Sequence, residues 1–364
     1  MTSVQPAPYR PDTISPPGAT IRDMLDDLNM SQAELARRMG RPINKLNHVV
    51  QGTKAITADT ALELERVLGL PASFWLNREQ SYRLALSQRE QLKREDRDSQ
   101  IVSQFPYAEM VKLGWIQKHT NQLDKYRELL NFFAVANAAR LGHIRELAPK
   151  FRKSQLQEAN PLALAAWLRK GVVDAQRIDA AAYDRDAVIQ RLDELRKLTK
   201  IPGEQVVDRL QRAGQELGLA IVFVPHLQKT YVGGAAFWLG NRPVIELSFR
   251  YKTNDHIWFN FFHELGHILL HSPRETWLDD FVPDDPNDLE AEANTFAADT
   301  LIPKDAREAF MQKGNFSEAT ILRFADHIGI APGIVVGRLQ REGKLHHSEF
   351  NNLKDDVIPS RNAS

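Results

Sequence analysis

Residues 257–270, IWFNFFHELGHILL, place the tightest condition on what this chain can become. The run is apolar on nearly every side, so it reads as a buried helix with its side chains held rigidly. Within it lie His263, Glu264 and His267. Residues four apart share a helix face, so the two histidines can hold one metal ion from consecutive turns. Glu264 points about 100° away from His263, on the side where an activated water can sit and lose its proton to a carboxylate. A structural histidine pair would show the same short motif, so a third ligand from another element has to separate the two readings.

Glu290-Ala291-Glu292-Ala293-Asn294 opens a second helix, with Asp288 as its expected cap. Glu290, Ala293, Asn294 and Ala297 lie along one stripe, and its small residues permit close approach of the first helix. Glu290 then completes a His-His-Glu set with an open fourth position. Asn294, one turn on, is placed to orient a ligand from behind. His271 has the wrong spacing for a third histidine ligand and reads as supporting or structural. Glu292 points away from the stripe and is the alternative acidic ligand. The chain has no cysteine, which excludes disulfides, zinc fingers, iron–sulfur clusters and thiol nucleophiles. A peptide-cutting site also needs an oxyanion donor; Tyr231, Tyr251, His256 and Arg274 are candidates, and the sequence does not choose among them.

A second pattern lies near the start, in Gln32 to Gly52 (QAELARRMGRPINKLNHVVQG). Ser31 and Glu34 have the spacing of a capping box. Two helices crossing tightly need a small residue at the contact, supplied by Ala36, and a turn tolerant of positive φ, supplied by Gly40. Pro42 suits the first turn of the next helix. Ile43, Leu46 and Val49 recur every three residues and are expected to anchor that helix to the core. Arg41, Asn44, Lys45, Asn47, His48 and Gln51 then face outward, with residue types that pair with base edges or phosphates. Gln32 stands at the start of the preceding helix, near a phosphate position. A plain helical bundle with a polar outer face has the same pattern. The bases between Ile21 and Gln80 are matched in number by acids, but Arg37, Arg38, Arg41 and Lys45 cluster, and useful affinity is expected to need a dimer.

Lys plus Arg total 47 and so do Asp plus Glu, so any nucleic-acid contact must come from a local patch. A length of 364 residues fits two or three domains at about 150 residues each. The Pro-rich first 18 residues read as a loose arm without the basic start and apolar run of a signal peptide. No stretch approaches the roughly 18 apolar residues of a membrane span, and the expected address is cytoplasmic with no membrane partner. Residues 83–200 are helix-rich. AIVFVP (220–225), GAAFWL (234–239) and PVIELSF (243–249) read as strands of one small sheet. Helical pairs follow at 255–271 and 288–302, then at 318–328 and 332–342.

The stretch SQAELARRMGRPINKLNHVVQGTKAITADTALELERVLGLPASFWL resembles the Xre-type helix-turn-helix of HigA-like antitoxins, over roughly residues 14–82. That resemblance implies operator binding, usually as a dimer. PVIELSFRYKTNDHIWFNFFHELGHILLH (243–271) and EAEANTFAADTLIP (290–303) resemble the ImmA/IrrE family of metallo-endopeptidases, over about residues 200–310. This second resemblance implies zinc (Zn2+), a peptidase-like fold and cleavage of a repressor-type protein. His263, His267 and Glu290 would be ligands and Glu264 the base. Residues 83–200 are similar to the spacer of Xre–ImmA/IrrE fusions.

The expected fold class is mostly α with a small α+β metallopeptidase-like domain. It comprises an N-terminal helix-turn-helix bundle, a helical middle region, and a C-terminal three-stranded sheet with helices carrying HExxH. The expected limits are 1–18 arm, 19–82 DNA-binding domain, 83–200 spacer, 201–345 metallopeptidase domain and 346–364 tail. The expected function is a DNA-binding regulator, a homodimer, with a zinc endopeptidase that cleaves a partner protein. The alternative is a HigA-like antitoxin and autorepressor whose second half binds a cognate toxin without cutting it.

Overall fold

The computed structural model describes residues 15–141, 160–271 and 286–357. Most of the expected arm, Arg274 and the last part of the expected tail lie outside these residues. The chain divides into two compact units, Met1–Gln100 and Ile101–Ser364.

The first unit is helical: α1 (Pro17–Asp27), α2 (Gln32–Arg38), α3 (Ile43–Val50), α4 (Ala58–Leu68) and α5 (Ala72–Asp98). Pro17 opens α1, where its missing donor and fixed φ suit the first helical position, so residues 17 and 18 belong to the bundle and not to the arm. Ser31 accepts a hydrogen bond from the backbone N–H of Glu34 and caps α2. The expected reciprocal bond is replaced: the Glu34 carboxylate accepts from Arg37 and Arg38. Gly40, at φ 65°, makes the turn into α3, a conformation that costs a side-chain-bearing residue. Ile21, Leu35, Leu46, Val49, Leu64 and Trp75 form the core. Ile43 does not join it: the residue is 47% exposed, because α3 begins there and only Leu46, Val49 and Val50 reach inward. α5 runs straight through residue 82, so the expected domain limit there falls inside a continuous helix.

The second unit begins with α6 (Tyr107–Lys112), α7 (Gln122–Phe133) and α8 (Pro161–Ala175), then α9 (Arg185–Gln190), α10 (Leu192–Lys197) and α11 (Gly203–Glu216). The sheet follows, with β1 (Ala220–Phe223), β2 (Gly234–Leu239) and β3 (Arg242–Leu247) in the order β1-β3-β2. β1 runs parallel to β3, and β2 antiparallel to it with Ala236 opposite Ile245. The remaining helices are α12 (Asn254–Leu270), α13 (Pro286–Leu301), α14 (Lys304–Gln312), α15 (Glu318–Ile328) and α16 (Pro332–Arg341).

Side chains alternate across the sheet, so each face has its own core. Ile221, Ala236, Ile245 and Leu247 pack with Trp258, Phe261 and Phe262 of α12. Val222, Ala235, Phe237 and Val244 pack with Leu164, Trp167 and Leu168 of α8. α8 is apolar on nearly all sides and forms the back layer of the sheet, although it lies within the expected spacer.

The expected tail is also built in as far as Val357. Asn254 N–H donates to the Asp355 carbonyl and Val357 N–H to the Lys252 carbonyl. Lys354 Nζ lies 2.7 Å from Asp255 in a buried ion pair at the start of α12. These bonds tie down the N-terminal end of the helix that carries the histidines. Among the described residues no single helix is long and apolar enough to cross a membrane.

Candidate metal centre and nucleic-acid face

α12 and α13 pack along each other at the stripe of small residues. Gly266 faces Ala293 and Phe296, and a Cβ at 266 would fall 3.1 Å from the Phe296 ring. Ala293 and Ala297 are fully buried at this seam. The approach brings Glu290 over the two histidines. His263 Nε2 and His267 Nε2 are 3.1 Å apart. Glu290 Oε2 lies 3.4 Å from His263 Nε2, and Glu290 Oε1 lies 3.5 Å from His267 Nε2.

These separations can be tested against a metal. Tetrahedral ligands at about 2.1 Å from an ion stand about 3.4 Å from one another. The two imidazole nitrogens and the Glu290 carboxylate stand at close to that spacing, and they are donor types zinc takes. The residues present fit the ion.

The arrangement continues behind the ligands. His267 Nδ1 lies 3.0 Å from His271 Nδ1, and His271 Nε2 lies 3.3 Å from Glu292 Oε2. One tautomer set satisfies this row: His267 Nδ1–H donates to His271, His271 Nε2–H donates to Glu292, and His267 Nε2 keeps its lone pair toward Glu290. Glu292, the alternative ligand, therefore stands against His271. His263 differs, since its buried Nδ1 has no hydrogen-bond partner among the described residues. Asn294 lies half-buried on α13, one turn after Glu290. Asp288 lies in the first turn of α13 rather than at its cap, because the helix opens at Pro286.

Glu264 is 8% exposed and faces the start of β2. A Cβ at Gly234 would lie 2.9 Å from Glu264 Cγ and Oε1, so a glycine there leaves room for the carboxylate. Tyr231, Tyr251 and His256 gather around Arg250. Its guanidinium lies 4.7 Å from the Tyr231 ring and 5.2 Å from that of Tyr251, which stacks on His256 at 4.6 Å.

Sequence reasoning passed over Glu246 on β3. It is fully buried, and neither carboxylate oxygen has a hydrogen-bond partner among the described residues. Desolvation holds its carboxyl well above the usual carboxylate range; Asp174 and Glu264 push the same way and Lys170 opposes them. Its position inside a β-rich run gave the only signal, a charge where an apolar residue belongs.

In the first unit the expected DNA-facing residues lie at the surface or half-buried. Arg41, expected to face DNA, is clamped by Glu63 of α4, with Arg41 Nη2 donating to Glu63 Oε1 at 3.2 Å. Arg37 and Arg38 share Glu34. The Asn44 side-chain oxygen accepts from the Lys45 backbone N–H, and His48 Nδ1 lies 3.1 Å from Thr53 Oγ1. Lys45 is exposed and has no ion-pair partner among the described residues. Gln32 and Asn47 are half-buried.

A family model described as Helix-turn-helix matches residues 21–75, and one described as the IrrE N-terminal-like domain of peptidase family M78 matches residues 215–340. The uncharacterized HTH-type transcriptional regulator YddM of Escherichia coli is 35% identical over 69 residues, 19% of this chain and 73% of its own length. Two solved structures are also similar. An addiction module antidote protein of a HigA family from Coxiella burnetii has 30% identity and a TM-score of 0.22, with 23% of this chain and 94% of that one covered. The Pseudomonas aeruginosa antitoxin HigA, solved with the higBA promoter, has 32% identity and a TM-score of 0.22, covering 22% and 89%.

Proposed function

This chain belongs to the Xre-type helix-turn-helix family and carries an IrrE N-terminal-like domain of the M78 peptidase family, and on that premise we propose an operator-bound regulator whose metal centre cuts a protein. The observation that carries the reading is the spacing of His263, His267 and Glu290, which suits one tetrahedral ion. These three hold the metal, with zinc preferred from the donor set. When bound, the ion supplies Lewis-acid polarisation and makes a water more acidic. Glu264 would hold and move the proton at its carboxylate, as general base toward the attacking water and general acid toward the leaving amine. Glu292 and His271 hold the ring of His267 in one orientation.

On the DNA side, Lys45 meets a phosphate, while Asn44, Asn47 and His48 of α3 stand at base edges. Gln32 at the start of α2 adds a backbone contact. The working form is a cytoplasmic homodimer on a palindromic operator, and the substrate is a partner protein of the repressor or toxin kind.

The test compares wild type with Glu264→Gln on proteins that co-purify with the chain. Wild type should retain about one equivalent of zinc and cut a partner; the variant should keep the metal and cut nothing. Loss of metal by the variant, or undiminished cutting, contradicts the role given to Glu264. A toxin neutralised equally by both proteins, with no cutting by either, favours the antitoxin alternative.

A further inference from the structure

An apolar side chain stands exposed among polar ones at the start of α3. Ile43 is 47% exposed, whereas Leu46, Val49 and Val50 are each at most 4% exposed. The inward face of α3 is thus complete without Ile43. Residues three and four apart neighbour one another on a helix, so Ile43 shares an edge of the outward face with Asn47, and Asn44 lies beside it. In a helix-turn-helix, the first residues of the second helix come closest to the base edges.

The edge groups there are chemically limited. Among the major-groove groups that distinguish the base pairs, the C5-methyl of thymine is the one that is recognised by apolar contact. Ile43 has no polar atom in its side chain and can make no hydrogen bond. We infer that Ile43 reads the C5-methyl group of a thymine, so that this chain selects a T·A pair by apolar contact beside the polar contacts of Asn44 and Asn47. The inference rests on the DNA-binding role of the first unit and goes beyond it by naming the base. Arg41 sharpens the case: its guanidinium is tied to Glu63, so at this end of α3 the exposed side chains are those of Ile43 and Asn44.

The experiment selects duplexes from a random library with the full chain, then replaces single thymines of the selected duplex by deoxyuridine. That exchange removes one methyl group and leaves base pairing intact. Wild type should bind about fourfold more weakly for one thymine replaced in one half-site, the effect of one lost apolar methyl contact, and about fifteenfold more weakly when the same position is replaced in both half-sites. Ile43→Ala should bind the thymine and uracil duplexes equally, and Ile43→Val should keep the preference. Lys45→Ala should weaken both duplexes alike and keep their ratio. Equal binding by wild type at every position, or a preference that survives Ile43→Ala, overturns the inference and leaves DNA binding standing. A folded Ile43→Ala that binds no duplex also overturns it, since one methyl contact cannot carry the whole affinity. Failure of wild type to select any duplex removes the DNA-binding reading, and this inference with it.

Discussion

The two units keep their functional side chains in opposite ways. In the first they lie on a surface, and its cations are largely neutralised by neighbours: Arg37 and Arg38 by Glu34, Arg41 by Glu63. In the second they lie at the seam of two helices, where buried His263 converges with half-buried His267 and Glu290. A surface site draws on long-range charge and tolerates loss of single contacts. A metal set depends on fixed distances, and loss of one ligand removes much of the site. The contrast predicts steep effects in one unit and shallow ones in the other.

The steepest effect belongs to the ligands. Replacing His263 and His267 together by Ala should lower metal affinity by orders of magnitude, measured by competition with a chelator, and leave DNA binding unchanged. Retained metal would break the comparison at its strongest point. His271→Ala comes next, with a loss of about ten- to a hundredfold in metal affinity, because His267 loses the group that orients it. An unchanged affinity would reduce His271 to packing.

Glu246 gives a pH signature confined to the second unit. Its folded carboxyl keeps its proton to higher pH than the unfolded one. The stability that it contributes is full below the unfolded value, near 4.5, and is lost as pH rises through the folded value. Urea unfolding of wild type should therefore weaken with rising pH more than that of Glu246→Gln, and parallel curves would contradict the assignment. Shallower still, Lys45→Ala should weaken duplex binding a few-fold and reduce the salt slope by about one. Arg41→Ala should change affinity least, since Glu63 already neutralises that guanidinium. An effect of Arg41→Ala equal to that of Lys45→Ala would show that the ion pair opens on DNA.

What the sequence made readable follows the same division. Helix periodicity is local, so the four-residue step from His263 to His267 and the small-residue stripe after Glu290 pointed to side chains that the structure brings within 3.5 Å of one another. The three strands were legible because β-branched and aromatic runs end at Gly, Pro and Asn. Commitments between distant residues were not legible. Glu63 lies in another helix from Arg41, and nothing near Arg41 announces the pairing. Ile43 keeps the three-residue step of Leu46 and Val49, and only the starting point of α3 excludes it from the core. Residues 161–175 look like any buried helix, and their place behind the sheet depends on strands far along the chain. Lys354 was hidden for the same reason, since its partner Asp255 lies about a hundred residues earlier.

The central claim is that α12 and α13 together hold one metal ion. Metal analysis of the purified full chain, with X-ray absorption of the bound ion, tests it most directly. About one equivalent of zinc should be found, bound by two imidazole nitrogens and carboxylate oxygen, and Glu290→Ala should abolish the carboxylate contribution. A protein that binds no metal when supplied with it, or a coordination shell unchanged by Glu290→Ala, would contradict the account.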